Sequence, residues 1–300
     1  MLPNLIIAGV NKGGTTALFR HLASHPDISP SSIKETCYFL PIRYGDNLAP
    51  LSEYKKYFKK YENESLVIES TPGYFYGSIG LASKIRSTLP NVRIVIVLRE
   101  PVSRFFSFFY FMKSMQKLHP NMTSSVYFDK CKNFSLQEFS DPGNNPYFGL
   151  QGGRYTDYLD DWTQTFGDRL HIDFFENLIS DPATFMKSIS NFSGIDPTPF
   201  CDMNFKKENV TSGHNNESFH SFALWFYKFF SRVFHSNSVI KSLAASTYNK
   251  INGAPVFKDD EEEALMRSVL LTYYQSSNDR LKDKLLKFDG SVASLPTWLS

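Results

Sequence analysis

Short apolar runs alternate along the chain with longer segments in which apolar residues recur every three or four positions. The short runs are typical of buried strands, and the longer pattern is typical of amphipathic helices. The predicted strands are Leu5–Ala8, Leu66–Ile68, Ile94–Leu98 and Leu170–Phe174, and the predicted helices are Thr15–Ser24, Gly80–Thr88, Ser103–Met115, Tyr155–Phe166, Pro182–Phe192 and Asp259–Leu286. Because strands alternate with helices, we expect a three-layer α/β fold with a central, mostly parallel sheet flanked by helices.

A phosphate-binding loop is predicted where the first strand ends. Residues 9–18 read GVNKGGTTAL, so glycines and hydroxyls separate the strand from a helix. Backbone N–H groups at such a helix N-terminus attract an anion, and glycine lets the backbone approach it closely. A nucleoside-triphosphate loop needs lysine directly after the second glycine, whereas Thr15 stands there and the lysine is Lys12. This order favours a donor with a 5′-phosphate and one group to transfer.

A second anion-binding motif follows the third predicted strand. Residues 99–107 read REPVSRFFS, which places Arg99 at the end of the strand and Ser107 in the helix that Pro101 opens. A guanidinium and a hydroxyl can converge there on one phosphate. The alternative is that Arg99 pairs with Glu100 or with aspartates at the surface. Ligands of parallel sheets bind beyond the carboxyl ends of the strands, where both motifs fall.

The two motifs resemble those of sulfotransferases that use 3′-phosphoadenosine 5′-phosphosulfate (PAPS). GVNKGGTTAL is similar to the 5′-phosphosulfate loop of that family, and REPVSRFFS is similar to its 3′-phosphate motif. The likeness is closest to the carbohydrate branch, which includes heparan sulfate 3-O- and N-sulfotransferases. It continues through KETCYF at 34–39, ESTPGY at 69–74, GRY at 153–155 and YYQSSN at 273–278. The resemblance implies a P-loop-like fold.

The resemblance also implies which residues bind the donor. The glycine and threonine positions would hold the 5′-phosphate, Arg99 and Ser107 the 3′-phosphate, and Lys12 the bridging oxygen at which charge develops. Lys206 and Lys207 lie where family members carry a basic loop, although a solvated charged turn is the alternative. The 3-O enzymes have a cysteine pair around that loop, which this chain lacks. The donor-binding candidates are Lys12, Gly13, Gly14, Thr15, Thr16, Ala17, Arg99, Ser107, Lys206 and Lys207.

Glu35 matches the position at which carbohydrate sulfotransferases carry a catalytic glutamate, so the resemblance implies that it is the general base. The alternative is a helix N-cap or a surface partner of Lys34. Histidine is the rival base in another branch, but four histidines considered for that role lie in no motif that would support it. These four are His119, His171, His214 and His220. Sulfuryl transfer by this family implies neither a metal nor a redox cofactor.

One further segment is predicted to cover the acceptor side, and a second is predicted to belong to the core instead. Residues 117–153 are polar and rich in turns, which indicates an insertion or lid over the acceptor cleft. The aromatic run 105–112 could be mistaken for a sugar platform, but its helical spacing favours a core position.

Composition and charge restrict the remaining possibilities. With 300 residues, of which 42% are hydrophobic, the chain suits a single domain over 1–300. A formal charge of +2 gives no indication of a nucleic-acid partner, and no apolar run is long enough for a membrane span. The first strand begins almost at once, which leaves no room for a signal peptide. Cys37, Cys131 and Cys201 lack metal-ligand spacing. We therefore expect reduced thiols and a cytoplasmic location, or the Golgi lumen if the chain is a truncated form.

Three other functions are open at this point. A sulfotransferase for a lipid or natural-product alcohol would have the same donor motifs, and the aromatic segment 219–234 would suit a lipid or a buried helix. A P-loop kinase using ATP is disfavoured by Thr15 and leaves Arg99 and Ser107 unexplained. A non-catalytic protein that binds sulfated glycans would retain the fold without turnover.

Overall fold

A six-stranded parallel sheet forms the centre of the computed structural model, which describes residues 1–200 and 260–299 and the backbone of 213–214 and 253–254. The strands are β1 Leu5–Gly9, β2 Ile28–Pro30, β3 Leu66–Ser70, β4 Arg93–Leu98, β5 Leu170–Phe174, β6 Gly213–His214, β7 Gly253–Ala254 and β8 Ser291–Val292. The sheet has the order β2-β3-β1-β4-β5-β8, and β6 pairs with β7 in a separate antiparallel ladder. The four predicted strands are confirmed. The short β2 and β8 lie outside the apolar runs.

Helices cover both faces of the sheet. They are α1 Thr15–Ala23, α2 Leu40–Arg43, α3 Leu51–Lys55, α4 Ser78–Thr88, α5 Pro101–Ser114, α6 Ser124–Lys132, α7 Thr156–Phe166, α8 Phe175–Ser180, α9 Pro182–Ser193 and α10 Asp260–Lys287. The six predicted helices are therefore present, with bounds that differ by at most two residues. The expected three-layer α/β fold is confirmed, and every strand pair of the sheet is parallel.

The strand β1 shows how the sheet is packed on both sides. Leu5 and Ile7 face the cluster that contains residues of α1 and α9, whereas Ile6 and Ala8 face the cluster that contains residues of α4 and α7. All four side chains are fully buried. A strand that is apolar at every position is typical of a parallel sheet covered by helices on both faces.

The order of the strands places the two predicted anion-binding motifs side by side. From β1 the chain passes to β2 and β3 on one side, and it then returns to β4 on the other. The loops that leave β1 and β4 therefore diverge to opposite sides, which opens a crevice at the carboxyl ends of these strands. The backbone N–H of Val10 donates to the carbonyl of Val97 at 3.1 Å, and this bond joins the starts of the two loops.

The aromatic run of α5 lies mostly in the core. Phe105, Phe106 and Phe109 are at most 3% exposed and pack against residues of α6 and α10. The prediction that this run is packing rather than a sugar platform is confirmed for these positions. Phe111 differs because it is only partly buried.

No helix in residues 1–200 or 260–299 is long and apolar enough to cross a membrane. In the same part of the chain Cys37 and Cys131 are free thiols.

The N-terminus of α5 allows a test of how the second motif is stabilised. The Glu100 carboxylate accepts hydrogen bonds from the N–H groups of Val102 at 2.8 Å and Ser103 at 2.6 Å. Glu100→Ala should lower the free energy of unfolding by about 1 kcal/mol, because both N–H groups lose their acceptor. Urea denaturation measures the change. Glu100→Gln keeps one acceptor oxygen and should lose less; equal stability of wild type and Glu100→Ala would contradict the capping role.

Candidate active site

The loop after β1 has the geometry of an anion cradle. Gly14 is the N-cap of α1 and has a φ of 82°, in the left-handed region that glycine adopts without strain. A Cβ atom at Gly13 would lie 2.4 Å from the carbonyl oxygen of Val97, so a side chain has no room there. The first turn of α1, which starts with Thr15, receives no side-chain cap. Its N–H groups therefore point toward the space that an anion would fill.

Lys12 lies in the same loop and faces α5. Its Nζ is 4.3 Å from the centre of the Phe111 ring, a cation–π distance. Burial, together with the positive charges of Arg99 and Arg104, lowers the pKa of Lys12 to about 8, whereas Glu35 opposes the shift. The lysine is thus a cation at neutral pH that has lost part of its hydration. A positive charge that is partly shielded from water attracts an anion more strongly than a fully hydrated one.

Arg99 connects the two motifs directly. Its Nη1 donates a hydrogen bond to the carbonyl of Lys12 at 3.0 Å, and its guanidinium lies 4.4 Å from the centre of the Phe175 ring. The hydroxyl of Tyr155 donates to the carbonyl of Arg99 at 2.6 Å. The carboxylate of Glu100 caps α5 instead of pairing with Arg99. The side chain of Arg99 is therefore held beside the first loop, as the anion-binding prediction requires.

Ser107 is placed on the part of α5 that faces this loop. It stands four residues before Phe111, and residues at this spacing share one face of a helix. Since the ammonium of Lys12 lies over Phe111, the face that carries Ser107 is turned toward Lys12. The structure brings together the Lys12 loop, Arg99 and this face of α5. Whether Ser107 contacts a donor stays a prediction.

Buried Arg104 adds positive charge behind the site. Its side chain is fully buried, and its Nη1 donates to the carbonyl of Gly149 at 2.9 Å. It contributes to the lowered pKa of Lys12. Three cations around one crevice favour a ligand that carries several negative charges.

Glu35 lies in the loop between β2 and α2. Its carboxylate pairs with Lys34 Nζ at 2.7 Å, and its side chain is 51% exposed. The next helix has Phe39 as its N-cap, so Glu35 does not cap a helix. The predicted surface pairing with Lys34 is present, and it leaves half of the Glu35 side chain open to the solvent. Because Glu35 also offsets the lowering of the Lys12 pKa, its carboxylate lies within electrostatic range of the Lys12 ammonium.

Other predicted positions are only partly covered by the described residues. Lys206, Lys207, His220 and the aromatic segment 219–234 lie outside them, as does the side chain of His214. Fully buried His171 contacts the hydroxyl of Ser291 through Nδ1 at 2.7 Å, and His119 Nδ1 accepts from the N–H of Asn121 at 3.3 Å. These contacts agree with structural roles for the two histidines.

Several contacts of the site are indicated by no motif, although Tyr155 itself belongs to the GRY segment at 153–155. Phe111 and Phe175 support the two cations, and Tyr155 fixes the backbone at Arg99. Glu176 of α8 accepts from the N–H of Glu100 at 2.9 Å and from Nε1 of Trp298 at 3.2 Å. It thereby connects the second motif with the C-terminal segment. These roles depend on contacts between distant elements, so they could not be read from the spacing along the chain.

The sequence is similar to known proteins over most of the described N-terminal part. A family profile described as "Sulfotransferase domain" matches residues 2–222. The bifunctional heparan sulfate N-deacetylase/N-sulfotransferase 1 of Caenorhabditis briggsae is 30% identical over 208 residues, which cover 66% of this chain and 23% of that protein. The human heparan sulfate glucosamine 3-O-sulfotransferase 3B1 is 29% identical over 195 residues, which cover 65% of this chain and 46% of that protein. The chain thus spans less than half of these relatives.

A solved structure supports the fold. The crystal structure of a sulfotransferase from Alicyclobacillus acidocaldarius has a TM-score of 0.59 and 21% sequence identity, and the match covers 78% of this chain and 95% of that chain. Within the described ranges, no cluster of three histidine, cysteine or acidic residues is arranged to hold a metal ion.

The lowered pKa of Lys12 predicts a pH dependence of nucleotide binding. Above about pH 8 the free lysine loses its proton, so the affinity for 3′-phosphoadenosine 5′-phosphate (PAP) should fall by up to about tenfold per pH unit. Calorimetric titrations between about pH 7 and about pH 9.5 measure this. Lys12→Met should bind weakly and lose the alkaline decline, whereas Lys59→Met, at an exposed lysine, should behave as wild type. An identical decline in Lys12→Met would exclude Lys12 as its source.

Proposed function

Because the sulfotransferase-domain profile matches residues 2–222, the chain belongs to the sulfotransferase family, and we propose that it transfers a sulfuryl group from PAPS. The proposed acceptor group is a hydroxyl or an amine, and the acceptor class proposed first is a carbohydrate. The observation that carries this proposal is the hydrogen bond from Arg99 Nη1 to the Lys12 carbonyl. It holds a guanidinium beside a glycine-rich cradle, and a donor with phosphates at its 5′ and 3′ positions needs both groups.

The residues of the crevice fit such a donor. Backbone N–H groups at Gly13, Gly14 and Thr15, with those of Thr16 and Ala17, would hold the 5′-phosphate at the start of α1. Arg99 and Ser107 would hold the 3′-phosphate. The tight approach of Gly13 to Val97 supports this assignment, because a side chain there would displace the cradle. Lys206 and Lys207 are proposed as further phosphate partners from the resemblance alone.

The proposed transfer uses Glu35 and Lys12. PAPS supplies the sulfuryl group. Glu35 takes the proton of the acceptor hydroxyl, so that the acceptor oxygen can form the new bond to sulfur. Lys12 stabilises the negative charge that remains on the bridging oxygen when its bond to sulfur breaks. The products are the sulfated acceptor and PAP, and the proton stays on Glu35.

A carbohydrate acceptor is proposed from the relatives, two of which are heparan sulfate sulfotransferases by name. The segment 117–153 supports an acceptor cleft beside Glu35. Asn145 of this segment donates to the hydroxyl of Tyr44 at 2.8 Å, and Arg43 lies 4.6 Å from the centre of the Phe148 ring. Since α2 follows the Glu35 loop directly, we propose that this segment covers the acceptor cleft. A lipid or natural-product alcohol is the alternative acceptor.

The location is proposed to be the cytoplasm, with the Golgi lumen as the alternative for a truncated chain. The free thiols of Cys37 and Cys131 are compatible with a reducing compartment. A single domain over 1–300 is likewise proposed.

The donor is tested by comparing PAP with ADP in calorimetric titrations. Wild type should bind PAP more tightly, and Arg99→Ala should lose about 100-fold in PAP affinity with little change for ADP, because only PAP has a 3′-phosphate. Arg99→Lys should fall between them, since it keeps the charge without the planar fork. Equal or tighter binding of ADP by wild type would favour the P-loop kinase instead.

The proposed role of Glu35 as the base is tested by measuring the turnover of sulfuryl transfer from PAPS to desulfated heparan sulfate. Glu35→Gln should reduce turnover by at least about 100-fold and leave PAP affinity unchanged, because the amide cannot accept the proton. Glu53→Gln, at an exposed glutamate of α3, is the matched control. Near-normal turnover of Glu35→Gln would remove it from the mechanism. Tight PAP binding by wild type without transfer to this or any other hydroxyl or amine would favour a non-catalytic binding protein.

A further inference from the structure

A second carboxylate lies buried behind the loop that carries Glu35. Glu69 is the fourth residue of β3, and its side chain is fully buried. Its Oε2 accepts a hydrogen bond from the hydroxyl of Thr36, and its Oε1 has no hydrogen-bond partner among the described residues. In the same part of the chain it has no ion-pair partner. A buried carboxylate without a cation is unfavourable when ionised, so its presence calls for an explanation.

The loop with Glu35 is attached to β3 and the turn after it by a series of hydrogen bonds. The N–H of Ser70 donates to the carbonyl of Lys34 at 3.2 Å, on one side of Glu35. On the other side the hydroxyl of Thr36 donates to Glu69, and the N–H of Tyr38 donates to Thr36 Oγ1 at 3.4 Å. Thr36 is therefore the residue through which Glu69 reaches the backbone next to Glu35.

Two more bonds continue this attachment toward α2. The N–H of Cys37 donates to Thr71 Oγ1 at 3.3 Å, and the N–H of Phe39 donates to the hydroxyl of Tyr74 at 3.2 Å. Both are made by residues that follow Thr36. Among the described residues, the carboxylate of Glu35 forms a hydrogen bond only with Nζ of Lys34. Its position is consequently determined by the backbone on either side of it.

The charge of the Glu69 carboxyl group changes at a pH close to the physiological value. Burial raises its pKa to about 7, against the hydrogen bonds that favour the charged form. The titratable groups that face it are Tyr54 from α3, Tyr74 from the turn after β3, and Cys37 and Glu35 from the loop. All four are neutral or negative at neutral pH. An added negative charge on Glu69 is therefore repelled by Glu35, and the ammonium of Lys34 in the same loop is already paired with Glu35 at 2.7 Å.

We propose that Glu69 is a positioning residue for the reaction: in its neutral form it anchors Thr36 and holds the Glu35 loop at the crevice, and its ionisation releases that loop. The proposal rests on the proposed function insofar as Glu35 is the base. Because Glu69 is fully buried, it acts through Thr36 and the backbone beside Glu35 rather than on a substrate.

The position of the loop can be measured without an acceptor, through alkylation of Cys37 by N-ethylmaleimide followed by peptide mass spectrometry. In wild type the rate relative to Glu69→Gln should rise several-fold as the pH passes through about 7, because the amide stays neutral and keeps the loop in place. A negative charge on Glu69 by itself raises the pKa of Cys37, which would slow the reaction. Faster alkylation of wild type therefore reports movement of the loop rather than electrostatics. A constant ratio across this range would overturn the proposal.

Thermal unfolding shows whether Glu69 titrates in the folded protein. Its pKa is above the usual value, so the folded state retains the proton between about pH 4.5 and about pH 7 while the unfolded state loses it. Wild type should lose stability over this window, and Glu69→Gln should not. The difference in Tm between variant and wild type should grow up to about pH 7 and then stay constant. A difference that does not vary with pH would overturn the proposal, and Glu53→Gln should show none.

The catalytic consequence is measured as kcat and KM for PAPS with desulfated heparan sulfate. Thr36→Val, which removes the anchored hydroxyl, should lower kcat about 10-fold to 100-fold with KM for PAPS unchanged. Glu69→Gln should retain kcat below about pH 6 and exceed wild type above about pH 8. Unchanged kcat in Thr36→Val would overturn the positioning role. If Glu35→Gln remains active, the proposed base is wrong, whereas the Cys37 and Tm results still decide whether Glu69 anchors the loop.

Discussion

The parallel pairing of β1 with β4 is the constraint on which the site depends. Ile6 lies opposite Ile94 and Ile7 opposite Val95, so the two strands end at the same edge of the sheet. The glycine-rich loop and the Arg99 motif are about ninety residues apart in the sequence, yet they start from neighbouring strand ends. The crevice between them exists because the chain leaves the two strands toward opposite sides of the sheet. Any change that alters this register would separate the two anion-binding groups.

The electrostatic character of the crevice follows from what surrounds that pair of loops. Lys12, Arg99 and Arg104 bring three positive charges together, and an aromatic ring lies against each of them. Such an arrangement is unfavourable in the free protein, because burial first and the two arginines second lower the pKa of Lys12. An anionic ligand relieves the repulsion between these cations. The fold therefore contributes to ligand affinity by holding the cations in place before the ligand binds. The same arrangement of charges favours ligands with several negative charges.

Much of the fold and of the candidate site could be predicted from the sequence, because these parts depend on local patterns. The strand β4 is an unbroken apolar run, and glycines and hydroxyls follow β1 directly, so each predicts its own structure. The strand β8 has two residues and is formed only by pairing with β5, which no local pattern indicates. Glu69 belongs to the ESTPGY segment that resembles the family, but no pattern along the chain shows that it is buried against Thr36, more than thirty residues away. Phe111 belongs to an aromatic run that is mostly core, and only the fold distinguishes it from its neighbours.

The contacts of Glu176 have a consequence for synthesis of the protein. One oxygen of this carboxylate binds the backbone of the second motif, and the other binds Trp298, beyond β8. During synthesis the glycine-rich loop leaves the ribosome well before Trp298, which completes the surroundings of the second motif. A nascent chain can therefore form the first strands and still lack one finished side of the crevice. The complete crevice would then form only once β8 and Trp298 are made, and not as soon as the segment that contains the two motifs is made.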